Sequence, residues 1–96
     1  MRVHELKTLA EPFDAMSGGL KRFEYRENDR DFAIGDCLHL REWNPESEHE
    51  TAGYTGFDQW FLVRYILTEC PGLPEGFCVM DVEPANRPTR QELADE

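Results

Sequence analysis

Residues 57–68, Phe-Asp-Gln-Trp-Phe-Leu-Val-Arg-Tyr-Ile-Leu-Thr, constrain the fold more than any other stretch of the chain. Phe61, Val63, Tyr65 and Leu67 alternate with Trp60, Leu62, Arg64 and Ile66, so an extended strand through them is largely apolar on both faces. A strand of that kind needs neighbours on both edges and cover on both faces. It is expected to be the central and longest strand of a sheet.

The remaining segments supply the neighbours. Residues 2–7 alternate Val3, Glu5 and Lys7 against His4 and Leu6 and read as a short first strand in which His4 shares a face with Leu6. Pro12 suits the first turn of a short helix carrying Phe13 and Met16 on one side and ending at Gly18-Gly19. Residues 21–27 form the next strand, and Asn28-Asp29-Arg30-Asp31 has the side-chain chemistry of a turn. A third strand follows Gly35 over residues 36–43. Its Leu38 and Leu40 share a face with Glu42, which places a carboxylate at the interior or its rim, where an unpaired charge is costly. Residues 44–56 are polar, with Glu46, Glu48 and Glu50 around His49, and read as a solvated loop or hairpin tip. After the turn-rich Cys70-Pro71-Gly72-Leu73-Pro74-Glu75-Gly76, residues 77–82 close the sheet with Cys78, Met80 and Val82 on one face.

Thr89 and Glu92 have capping-box spacing, yet only Leu93 could be buried by a helix there, so residues 84–96 are expected to be a largely disordered tail on a domain spanning 1–83. Five or six short strands with one early helix and no βαβ alternation indicate an α+β domain: a small, strongly bent sheet or partly closed barrel.

Composition narrows the functional classes. Twenty acidic against ten basic residues give a net charge of −10, which argues against coating a nucleic-acid backbone without sequence preference. No apolar run approaches bilayer-spanning length, and the opening Met-Arg-Val-His-Glu-Leu-Lys lacks the apolar stretch of a signal peptide, so a cytoplasmic location is expected. Three cysteines (Cys37, Cys70, Cys78) without CxxC spacing indicate reduced thiols rather than a disulfide framework. Cys37-Leu38-His39 is the nearest approach to a ligand pair among His4, His39, His49 and the cysteines, and no second pair completes a metal site. Neither a metal nor another cofactor is expected.

Against this acidic background, four of the ten basic residues fall between Gly19 and Asp36, in an alternation of charged and aromatic residues. If Phe23 and Tyr25 face the core, then Arg22, Glu24, Arg26 and Asn28 share the other face. Lys21, Glu24 and Arg26, with His4 and Glu42 from adjacent strands, would place fixed donors and an acceptor on one wall. That arrangement suits recognition of a nucleobase edge and a phosphate. It also matches an ordinary surface ion-pair ladder. In a catalytic reading, Lys21 would activate water or attack a carbonyl, with Glu24 or Glu42 as acid or base. Trp43, Tyr54 and Trp60 have the chemistry to stack on bases, and equally that of core or rim aromatics.

The string Gly19-Leu20-Lys21-Arg22-Phe23-Glu24-Tyr25-Arg26 resembles the GxKxxExR signature of ASCH domains, members of the PUA-like superfamily, and it follows a helix as it does in that family. His4-Glu5-Leu6-Lys7, Asn28-Asp29-Arg30-Asp31-Phe32, Gly35-Asp36, Arg41-Glu42-Trp43 and Tyr54-Thr55-Gly56 extend the likeness to a small ASCH-like group of phages and bacteria, over roughly residues 1–82. The resemblance implies a PUA-like β-barrel and an RNA- or nucleotide-binding role. Lys21 and Arg26 would contact phosphate or base carbonyls and Glu24 a base edge, with Asn28, Arg30 and His4 on the rim. Some small ASCH proteins are amidohydrolases of N4-acetylcytidine whose catalytic lysine matches Lys21; there a threonine stands at the position of Glu24. A third reading, carried by residues 42–50, is an acidic phage-type protein that occupies a host nucleic-acid-binding protein.

Overall fold

In the computed structural model, which describes residues 1–46 and 53–94, the chain runs β1 (Val3–Leu9), α1 (Ala10–Ser17), β2 (Phe23–Glu27), β3 (Cys37–Trp43), β4 (Tyr54–Leu67), β5 (Phe77–Pro84) and α2 (Arg90–Ala94). The strands form one curled sheet, a half-barrel, in the order β1-β3-β4-β5-β2. β1 pairs parallel with β3, and all other pairs are antiparallel. The fold is thus α+β and barrel-like. The apolar run at 57–68 lies within β4, which is the middle strand and, at 14 residues, the longest.

The concave face carries the core. His4, Leu6 and Thr8 point inward from β1, Leu38 and Leu40 from β3, Phe61 and Val63 from β4, and Cys78, Met80 and Val82 from β5. Helix α1 closes over this face with Phe13 and Met16, and Phe32 joins from the β2–β3 loop. Each large apolar side chain buried there contributes roughly 1.5–3 kcal/mol. The helix stops where two glycines were expected to stop it: Gly18 N–H bonds Asp14 O at 2.9 Å, and Gly19 takes φ +80°. Arg22 donates to the carbonyl of Met16 at 2.9 Å, satisfying another helix end group.

Two expectations are corrected. Tyr65 does not continue the inward face of Phe61 and Val63. The pairing of β4 with β5 shifts register between Val63 and Tyr65, so Tyr65 turns outward while Ile66 packs against the core. An irregular register carries one extra residue and so reverses the alternation beyond it. In β2 the polarity is the reverse of that assumed from its aromatics: Phe23 and Tyr25 are about half exposed on the convex side, and Glu24 is buried. The register pairs Glu24 with Met80 and Arg26 with Cys78, both core residues, so Glu24 and Arg26 face the concave side. Ion pairs to Lys21 and Arg26 compensate the buried carboxylate, and Tyr25 finds apolar cover by stacking on Phe77 at 5.4 Å.

β4 also begins earlier than residue 57, because Gly53 bonds back to Asn44 across the hairpin at 2.8 Å. A Cβ there would collide with the Asn44 carbonyl, and φ is +86°. Glu46 is exposed; the remainder of the acidic run, including Glu48, His49 and Glu50, lies outside the described residues. Beyond Pro84 the Thr89/Glu92 capping box is formed, each backbone N–H bonding the other residue's side chain, and α2 follows it for one turn. Ala85 N–H bonds Trp60 O, and the Arg87 guanidinium lies 5.9 Å from the Trp60 ring, which stacks face to face on His39. Among the described residues no helix is long and apolar enough to cross a membrane.

Candidate functional site

A half-barrel leaves its first and last strands unpaired along one side, and here those edges are β1 and β2. The carbonyls of Glu5 and Lys7 lie on the open edge of β1. Arg30 donates to the first at 2.6 Å and Arg26 to the second at 3.0 Å, so guanidinium groups from β2 and the following turn occupy positions where a neighbouring strand would place N–H donors. The seam is bridged by side chains, and an open cleft of about 510 Å³ lies along it.

The cleft brings together four of the residues singled out from sequence: Lys21, Glu24, Arg26 and Arg30. Glu24 is only 4% exposed. Its Oε2 accepts from Arg26 Nε at 2.9 Å, and its Oε1 lies 3.5 Å from Lys21 Nζ. Lys21 also donates to Phe23 O at 2.7 Å and sits 4.7 Å over the Phe23 ring, which holds its ammonium at the mouth. A carboxylate oxygen has two acceptor directions, so each oxygen of Glu24 keeps one for a further donor. Tyr25 and Phe77, stacked at 21° between ring planes, border the cleft from the convex side, and Lys7, Thr8 and Leu9 line its opposite edge.

Three others lie elsewhere. His4, expected on the rim, is buried in the core: its Nε2 is 2.8 Å from Asp36 Oδ2, and its ring meets Phe32 edge-on at 4.7 Å. Asn28 serves the turn, accepting from Phe32 N–H through Oδ1 at 3.1 Å. Glu42 is half-buried at the end of β3, level with Thr8 but one strand away from the cleft wall. Sequence reasoning missed Thr8, Tyr25 and Phe77 as cleft residues. Thr8 was legible in principle, because the inward alternation His4, Leu6 continues to it; the other two depended on the inverted face of β2.

Asp36 is the second buried carboxylate. Burial alone would raise its pKa, but hydrogen bonds from His4, Arg2 N–H and Ala33 N–H together outweigh that and hold it below the ordinary value. Among the described residues no group of His, Cys, Asp and Glu is arranged to hold a metal ion. Burial pushes the Cys37 thiol up to about 11 and also raises that of Cys78, while Cys70 is exposed.

The model of a domain of unknown function, DUF3850, matches residues 3–82, which contain every strand from β1 into β5 and the whole cleft. The chain belongs to the DUF3850 family. It is also 45% identical over 42 residues to an uncharacterized 12.9 kDa protein in the GpA 3′ region of Escherichia phage P2. That alignment covers 44% of this DUF3850 chain and 38% of the phage protein.

Proposed function

We propose that this DUF3850 domain binds RNA or a nucleotide in the seam cleft, with one base held against Glu24. The observation that carries the reading is the buried carboxylate of Glu24, flanked by Lys21 and Arg26 and lining a cleft that a stacked aromatic pair borders. Glu24 accepts from the amino edge of a base, Lys21 and Arg26 donate to base carbonyl or phosphate oxygens, and Tyr25 offers a ring face for stacking. The likeness of residues 19–26 to the ASCH signature supports the same assignment. The test is an NMR titration of the four nucleosides and a panel of short single-stranded RNAs. Shifts are expected at Lys21, Glu24, Arg26 and Arg30; an unperturbed spectrum across the panel removes the proposal.

A second reading is favoured by Thr8, which lines the same cleft as Lys21 and Glu24 and whose hydroxyl donates to Leu6 O at 3.3 Å. In that reading the domain hydrolyses an acyl amide on a nucleoside: water adds to the acyl carbonyl, the C–N bond breaks, and the amine leaves with a proton. Incubation with N4-acetylcytidine is expected to release cytidine and acetate, and to do so much more slowly with Lys21→Ala. Unchanged substrate excludes this chemistry and leaves the binding reading intact.

A further inference from the structure

Four cations (Lys7, Lys21, Arg26 and Arg30) and three carboxylates (Glu24, Glu27 and Asp29) line the cleft, so its balance is slightly positive in a chain of net charge −10. The cations differ in what holds them. Lys21 is tied to a buried carboxylate, and Lys7 lies 4.4 Å over the Trp43 ring. Arg26 is tied to the same carboxylate through Nε at 2.9 Å and Arg30 Nε lies 4.0 Å from Asp29, but Arg30 Nη1 and Arg26 Nη2 donate to neutral backbone carbonyls, Glu5 O and Lys7 O. An anionic oxygen makes roughly twice as strong a hydrogen bond to a guanidinium as a neutral carbonyl does, so these two donors are the ones a ligand can recruit. The carbonyls they occupy are two residues apart on one strand edge, a repeat of about 6.7 Å. Adjacent phosphates of an extended single strand have a comparable separation.

Deepening the proposed binding of RNA or a nucleotide, and resting on it, we infer that the ligand is a single-stranded segment with two consecutive phosphodiesters, engaged by Arg26 and Arg30 in place of the β1 carbonyls. The base between those phosphates enters against Glu24, and the adjoining base stacks on Tyr25 at the lip. Outside the cleft the acidic surface repels further phosphates, so the footprint ends at two. A double helix does not fit, because its bases are paired and its phosphates extend over that acidic surface.

The salt dependence of affinity counts the phosphates. For single strands the slope of log K against log salt is about −0.7 per neutralised phosphate, so this site is expected to give about −1.4. The probes are fluorescein-labelled rA4, rC4, rG4 and rU4, followed by anisotropy from low to moderate salt, with the tightest carried forward. Arg30→Gln is the informative variant, because Arg30 does not touch Glu24. It should halve the slope to about −0.7 and leave the thermal midpoint close to that of the native chain. Tetraglutamate, an anionic peptide of similar length, should not compete. A slope near zero, a slope steeper than about −1.8, an unchanged slope in Arg30→Gln, or equal competition by tetraglutamate each overturns the two-phosphate assignment while base binding stands. Absence of binding by every tetranucleotide and every free nucleoside overturns the underlying reading as well.

Discussion

Glu24 and Asp36 are each 4% exposed, and their surroundings show how equal burial serves two purposes. Asp36 is held by parts that cannot move independently: the N–H groups of Arg2 and Ala33 and the ring of core-packed His4. It ties the start of β1 to the loop entering β3. Among the described residues, Glu24 is held by side chains, Lys21 and Arg26, which are themselves 21% and 28% exposed and line the cleft. Fixed donors make a structural lock, whereas exchangeable donors beside open volume suit the binding proposed for Glu24. Burial alone does not separate the two, but the nature of the partners does.

The contrast is broken most directly by truncating each carboxylate. Asp36→Ala leaves His4 and two backbone N–H groups without an acceptor and is expected to lower unfolding free energy by about 3–5 kcal/mol in urea denaturation. Glu24→Ala frees two cations that can turn to water and is expected to cost about 1–2 kcal/mol, discounted for their exposure, while abolishing detectable binding of the tightest tetranucleotide. Equal losses of stability would mean that Glu24 is also a lock.

Acidification sharpens the same comparison. The folded pKa of Asp36 lies below its ordinary value of 3.8, so the native state holds the ionised form more strongly than the unfolded chain does. Its contribution is complete above about pH 4 and is lost as pH falls through the depressed folded value. The thermal midpoint of the native protein should therefore drop steeply below about pH 4, and Asp36→Asn should flatten that drop. A parallel pH profile in Asp36→Asn would place the acid sensitivity elsewhere.

The smallest expected difference is in local opening. Cys78 lies in register with Arg26 beside the seam, and Cys37 with Val3 at the Asp36 end. Under native conditions at about pH 8, Cys70 should react with a thiol reagent first, Cys78 next, and Cys37 last by a few-fold, as read by mass spectrometry of labelled peptides. Labelling of Cys37 before Cys78 would show that the seam is not the looser end.

Much of the fold was legible because alternation and glycine act locally. The run through Phe61 and Val63 had to be central, the glycine pair had to end α1, and His4 had to share a face with Leu6. The bulge after Val63 was not legible, since a register shift is decided by how β5 meets β4. Nor was the inward turn of Glu24, because period two leaves open which of two faces is inside, and hydrophobicity alone favours the wrong one. The candidate site was half legible: Lys21, Glu24, Arg26 and Arg30 converge, whereas His4 and Asn28 belong to the structural framework.

By itself the sequence determined the five strands and the first helix, their α+β class, the central place of β4 and the local concentration of cations in an acidic chain, because each follows from neighbours within a few residues. Only the tertiary structure decided which carboxylate is a lock and which faces a cleft. That choice depends on β1 and β2 becoming the two edges of one curled sheet, where Arg26 and Arg30 reach across to carbonyls 19 and 25 residues away along the chain.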